Sequence, residues 1–220
     1  MRYINPHRRR IEFLGVRCVS RMRGIVMTTP LRIVAVSGSL QQPSRTRALT
    51  VSLLTGLERA LVADKHNVHS HLVDLGEISE PLARTFSRVS AARDLEAHLR
   101  AIETADALIV ASPVYRASYT GLFKHLFDLV HHETLFDVPV LLAATGGSER
   151  HALVIDHQLR PLLSFFQAHT LPVGVYGSEA DFNDHRVSSP LLSARIALAI
   201  ERAAPLIAQR PRRADVQIAA

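Results

Sequence analysis

Residues 31–47 read LRIVAVSGSLQQPSRTR, and the rest of the chain is best read outward from them. Residues 31–36 form an apolar run of strand length. The run stops at Ser37-Gly38-Ser39, and a helix is predicted to open near Ser44-Arg45-Thr46-Arg47. A strand that ends in small residues and enters a helix makes a cradle for an anion. The first-turn amides have no partner inside the helix, and the helix dipole favours negative charge there. Gly38 lets the backbone approach a ligand. Ser37, Ser39, Ser44 and Thr46 add hydroxyl donors, and Arg45 and Arg47 add charge. No acidic residue lies between Leu31 and Leu57, which suits a phosphate dianion better than a sugar or a metal. The competing reading is that Ser44 only caps a helix and the arginines form a solvated face.

Two familiar phosphate motifs are absent. There is no Gly-Lys-Ser/Thr of a Walker loop, and Leu40 and Gln42 break the spacing of a G-x-G-x-x-G dinucleotide fingerprint. A hydroxyl-rich mononucleotide loop is left, of the kind that flavodoxin-like folds use for the phosphate of FMN.

The 220 residues suit one domain, with ordinary shares of hydrophobic (47%) and charged (21%) residues. The net charge of +6 resembles a nucleic-acid signal until it is located. Residues 1–29 hold seven arginines and one glutamate, which leaves 19 basic and 19 acidic residues in the remainder. The charge belongs to the leader and says nothing about the partners of the domain. The leader lacks the apolar core of a secretory signal. It reads as a misassigned start ahead of Met27, or as an organellar transit peptide, and is expected to be poorly ordered and dispensable. The expected domain is then 30–210, with a frayed tail at 211–220. The lone cysteine, Cys18, lies in the leader, so the body has no disulfide and no cysteine metal site. No apolar run approaches the ~18 residues of a membrane span, and a cytoplasmic protein is expected.

Strands are expected at 31–36, 67–75, 106–112, 138–144 and 171–176. Helices are expected at 44–63, 91–104, 122–131, 151–168 (kinked at Pro161) and 190–208, and a loop at 76–90 around Pro81. His69 and His71 on one strand face read as a half-exposed strand, since no third metal ligand is near. His131-His132-Glu133 reads as a solvated helix end. Five apolar strands alternating with helices predict an α/β fold: a doubly wound five-stranded parallel sheet in the order 2-1-3-4-5. Ligands then sit beyond the carboxyl ends of the strands, where three loops rich in Gly, Ser, Thr, Pro and Tyr converge. Loop 1 (37–47) suits a phosphate. Loop 3 (112–121), through Pro113, Val114 and Tyr115, suits one wall of a planar ring. Loop 4 (145–151), through Thr145, Gly146, Gly147 and Ser148, lets amides approach the polar edge of that ring.

The motifs G-S-x-x-x-x-S-R-T at 38–46, S-P-V-Y-R-A-S-Y-T-G at 112–121 and A-T-G-G-S at 144–148 resemble the NAD(P)H-dependent FMN reductases. They are most similar to the branch serving two-component alkanesulfonate and methanesulfonate monooxygenases. The resemblance spans 31–208. It implies a flavodoxin-like fold, FMN as flavin, NADPH or NADH as reductant, and a partner monooxygenase that receives the reduced FMN. It also implies a homodimer or homotetramer built through the helix after loop 3. There Tyr119 matches an aromatic that opens a π-bulge in some members, and it is expected at the subunit interface. A hydride passing between two cofactors requires no side-chain acid or base, so no catalytic residue is assigned and no metal is expected. His151 is a candidate contact for a nicotinamide phosphate. Two other functions fit the fold: a quinone, azo-dye or chromate reductase that retains its FMN, and a flavodoxin-like electron carrier.

Overall fold

A computed structural model describes residues 29–210. The readings of the leader and of the tail fall on residues outside these. In chain order the elements are β1 (Leu31–Ser37), α1 (Arg45–Ala63), β2 (Val68–Asp74), α2 (Leu75–Ala83), α3 (Arg93–Thr104), β3 (Ala107–Pro113), α4 (Gly121–Leu129) and β4 (Pro139–Gly146). There follow a π-helical turn (Ile155–Leu159), α5 (Arg160–Phe165), β5 (His169–Thr170), β6 (Val175–Ser178), β7 (Phe182–Asn183), β8 (Arg186–Val187) and α6 (Pro190–Ala208). The main sheet is parallel in the order β2-β1-β3-β4-β5, as the strand pattern predicts, with β6 also on β4.

Alternation along β1 explains why both faces of the sheet are covered. Ile33 and Ala35 pack beneath α1 and α6 with Leu49, Leu53, Leu57 and Ile196. Val34 and Val36 face the other layer, with Leu82, Leu99, Phe123 and Phe127. Successive strand side chains point to opposite faces, so a strand buried on both sides must be apolar throughout. Among the described residues no helix is long and apolar enough to cross a membrane.

Three expectations are corrected. Residues 76–83, read as part of a loop at 76–90, belong to α2 (Leu75–Ala83). Asp74 caps it by accepting from the Gly76 amide at 3.2 Å, and Leu75, Ile78 and Leu82 bury one face. The cap and this spacing outweigh Gly76 and Pro81. The fifth strand is split into β5 and β6, because Pro172 has no amide to give the ladder. The long helix at 151–168 is broken as well. The Arg160 amide bonds to the carbonyl of Ile155, five residues back, and α5 restarts with Pro161 in its first turn. Proline removes the amide that would close the normal turn and clashes with the carbonyl four residues earlier. The widened turn relieves both, so the kink expected at Pro161 takes the form of a π turn.

His71 on the edge strand β2 meets His98 on α3, with Nε2 and Nδ1 3.0 Å apart. Burial lowers the pKa of both. Neighbouring His98 and His69 lower that of His71 further, against the opposing pull of Asp94 and Glu77 on His98. The folded state therefore binds fewer protons than the unfolded chain. The pair's contribution is fully present above the ordinary histidine pKa of about 6.5 and is lost as pH falls through the lowered values. Tm should fall more steeply between pH 7 and 5 in the parent protein than in His98→Gln, as read by circular dichroism. Parallel curves would show that the pair does not carry this dependence.

Candidate functional site

Loop 1 leaves β1 against β3 and α4. The Gly38 amide donates to the Ala111 carbonyl at 2.7 Å. A Cβ at Gly38 would lie 2.7 Å from the Phe123 ring, so this position has no room for a side chain. Thr120 caps α4 by accepting from the Phe123 amide (3.3 Å), and its hydroxyl donates to the Gly38 carbonyl at 3.1 Å. One threonine thus starts a helix and joins loop 3 to loop 1.

Ser44 is the cap of α1 and accepts from the Arg47 amide at 3.2 Å. The amides of Arg45 and Thr46 lie in the first turn, where helix geometry provides no carbonyl. Ser39 accepts from the Gln41 amide at 3.2 Å. Ser37 is fully buried, and its hydroxyl oxygen has no hydrogen-bond partner. Its place in the β1 alternation, with Ile33 and Ala35, turns it towards the α1 face. Thr46 is engaged within the protein. Its hydroxyl lies 2.7 Å from that of Thr145, and both residues are buried. The pair ties loop 1 to loop 4.

Loop 3 is a tight reversal. Tyr115 and Ser118 exchange two backbone bonds (2.8 and 3.1 Å), and Arg116 and Ala117 between them sit at φ 49° and 65°. Such a turn normally recruits Asn and Gly, so these two residues hold a left-handed conformation at a cost. Beside the Thr120 bond to Gly38, two further ties hold it: the Val114 amide donates to the Thr145 carbonyl at 2.8 Å, and the Ser118 hydroxyl to Gln158 of the π turn at 3.0 Å. Tyr115 is exposed at the rim.

Loop 4 depends on Tyr176. Its hydroxyl donates to the Ser148 carbonyl at 2.6 Å. A Cβ on Gly146 would come within 2.3 Å of that hydroxyl, whereas one on Gly147 would meet nothing within 4 Å. Burial, then the charges of Glu149 and Asp181, push the Tyr176 phenol up to about 12, so it stays a donor at physiological pH.

The predicted residues thus gather on one edge of the sheet: Ser37, Ser39 and Ser44 in loop 1, Pro113 to Tyr115 in loop 3, and Gly146 to Ser148 in loop 4. Sequence reasoning missed the residues that fasten them, namely Thr120, Gln158 and Tyr176. It also missed Asp74 and Glu179, which pair with Arg47 and Arg45. Two of these carried a signal as helix caps: Asp74 at a strand end before an apolar run, and Thr120 just ahead of the helix expected at 122–131. The expected π-bulge at Tyr119 is not formed. Tyr119 precedes an ordinary α4 and packs on Phe123, with ring centroids 5.6 Å apart.

Small hydroxyls, an amide-lined helix start, a buried unpartnered hydroxyl beneath it and two glycine-containing walls fit a flavin mononucleotide. A mononucleotide-binding reductase is the class of protein that this edge describes. Residues 31–182 match the NADPH-dependent FMN reductase family model, and the chain belongs to that family. It is 59% identical over 180 residues to the NADH-dependent FMN reductase SfnF of Pseudomonas fluorescens (82% of this chain, 94% of the relative). It is 58% identical over 184 residues to an FMN reductase (NADPH) of Pseudomonas aeruginosa (84% and 96%). Among solved structures, an oxidoreductase from Corynebacterium diphtheriae superposes with a TM-score of 0.75 at 35% identity, covering 83% of this chain and 100% of that one.

Gly146→Ala should force Tyr176 off Ser148 and destabilise the fold by about 1–3 kcal/mol. Tyr176→Phe in the same background should recover part of that loss in a double-mutant cycle of urea unfolding. Strictly additive losses would show that the two positions do not collide.

Proposed function

We propose that the chain reduces free FMN with NADH or NADPH in the cytoplasm and passes the reduced flavin to a monooxygenase of sulfonate or organosulfur metabolism. The observation that carries this reading is the bolting of three predicted ligand loops to one another on the carboxyl edge of the sheet. The sequence relationship to FMN reductases supports it independently. The relatives' names divide between NADH and NADPH, so both nicotinamides are proposed as reductants.

FMN, when bound, supplies the electron-accepting ring, and the chain's own part is to bind, orient and exclude water. In this reading Ser39, Ser44 and the amides of Arg45 and Thr46 hold the phosphate. Pro113, Val114 and Tyr115 form the wall of the ring site. The amides of residues 146–148 face the polar edge, where donors stabilise developing negative charge.

A separate feature supports self-association. A cleft of about 1060 Å³ is lined by the apolar Tyr119, Phe127, Leu162, Phe165 and Phe166 and by the charged Arg88, Glu96, Arg100, Lys124 and Asp128. Val89 (98% exposed) and Phe165 (68% exposed) stand at it. Large apolar side chains this exposed mark an interaction surface. A second copy of the chain is the proposed occupant, which sets Tyr119 at the interface of a homodimer or homotetramer.

Flavin-stripped protein should oxidise NADH or NADPH with saturable dependence on added FMN and with no other acceptor. Turnover that needs only trace FMN but demands a quinone or dye would replace this reading with a retained-flavin reductase. In sedimentation, Phe165→Glu should shift the protein to a smaller species. An unchanged sedimentation coefficient would remove the cleft as the contact surface.

A further inference from the structure

Loop 1 is free of acidic residues in sequence, but the fold does not leave its arginines free. Arg47 Nε lies 2.8 Å from Asp74, a residue only 2% exposed that also accepts from the Gly76 amide. Arg45 lies 2.8 Å from Glu179, whose side chain is 69% exposed. The two carboxylates differ in kind. Asp74 is walled in at the end of β2 and cannot leave its partner without stranding a buried charge. Glu179 stands on the short turn after β6, and leaving Arg45 only returns it to water. The turn itself is held firmly. Asp181 accepts from both the amide and the hydroxyl of Ser178 at 2.8 Å, and Ser178 pairs with Gly146 across the sheet. Glu179 is therefore presented to Arg45 by a fixed backbone on a movable side chain.

We propose that Glu179 is a built-in competitor for Arg45 that sets how tightly this protein holds the FMN phosphate. The inference rests on reading loop 1 as the phosphate cradle. Two arginines and two carboxylates make the charged groups around the cradle electrically neutral. An arriving phosphate meets hydroxyls and helix amides first, and gains the full charge of Arg45 by displacing Glu179. A competing carboxylate on the protein lowers affinity for the phosphate end alone and leaves the ring contacts as they are. That suits a flavin that must leave after each turnover, where a tightly kept cofactor would face an unpaired arginine.

The test compares FMN with riboflavin, which has the same ring and no phosphate. Dissociation constants are measured by quenching of flavin fluorescence for the parent protein, Glu179→Gln and Ser44→Ala. Glu179→Gln should tighten FMN about two- to fivefold, the range of an exposed ion pair, and leave riboflavin unchanged. The gain should disappear at 1 M salt, where the Debye length is about 3 Å. Ser44→Ala should weaken FMN and not riboflavin. If Ser44→Ala behaves so but Glu179→Gln leaves FMN unchanged, weakens it, or tightens both flavins alike, the competitor role is overturned and the cradle stands. If Ser44→Ala shows no phosphate-selective effect, the cradle falls and the proposal falls with it.

Discussion

Gly38 is pinned between the Ala111 carbonyl and the Phe123 ring, with no space for even a methyl group. From this close approach the rest of the site follows. It brings the end of β1 against β3 and sets the Gly38 carbonyl within reach of the Thr120 hydroxyl. Thr120 then begins α4 at the one point where its cap can serve both loops. From there the ties run through Val114 to Thr145 and through Thr145 to Thr46. Loops normally vary in position because few bonds hold them. These three are held by one another, which is how a binding edge made of loops attains the rigidity that orienting two planar cofactors requires.

The charges around loop 1 illustrate a limit of reading residues by their neighbours in sequence. The absence of acid from 32–57 suggests a strongly positive cradle. Parallel strand order places the end of β2 directly beside the end of β1, and the register sets Asp74 opposite Ser37. The β6 turn brings Glu179 from 134 positions further along the chain than Arg45. The positive charge that the loop's own composition implies is thus balanced by partners from elsewhere in the chain. A buried carboxylate and an exposed one flank the loop.

The molecule also separates its two kinds of surface. The polar, glycine-bearing edge lies at the carboxyl ends of the strands. The cleft lies on the outer side of α3, α4 and α5, where Arg88 reaches the buried Glu103 and Glu103 accepts from the His131 amide at 2.8 Å. Tyr119 belongs to both neighbourhoods, since it follows the loop 3 reversal and lines the cleft. The adjacent Ser118 reaches the π turn. Loop 3 is therefore the element through which the flavin edge and the cleft are mechanically joined.

The sequence by itself determined the architecture. Central strands buried on both faces must be apolar throughout, and such runs alternating with amphipathic helices leave little besides a doubly wound parallel sheet. It also singled out the residues that the fold gathers on one edge, because Ser44 after a small-residue turn, Pro113-Val114-Tyr115 and Gly146-Gly147 are local signals that need no partner to be read. Tertiary structure alone decided which of those groups are free. Thr46 reads as a local hydroxyl of loop 1, and only the fold shows it bonded to Thr145, 99 positions away. Gly146 reads as a residue that opens backbone amides to a ligand, and only the fold shows Tyr176 occupying the space of its missing side chain. Hydrogen bonds and ion pairs between loops distant along the chain leave no periodicity or spacing, so their partners become legible only once the sheet sets the strand ends side by side.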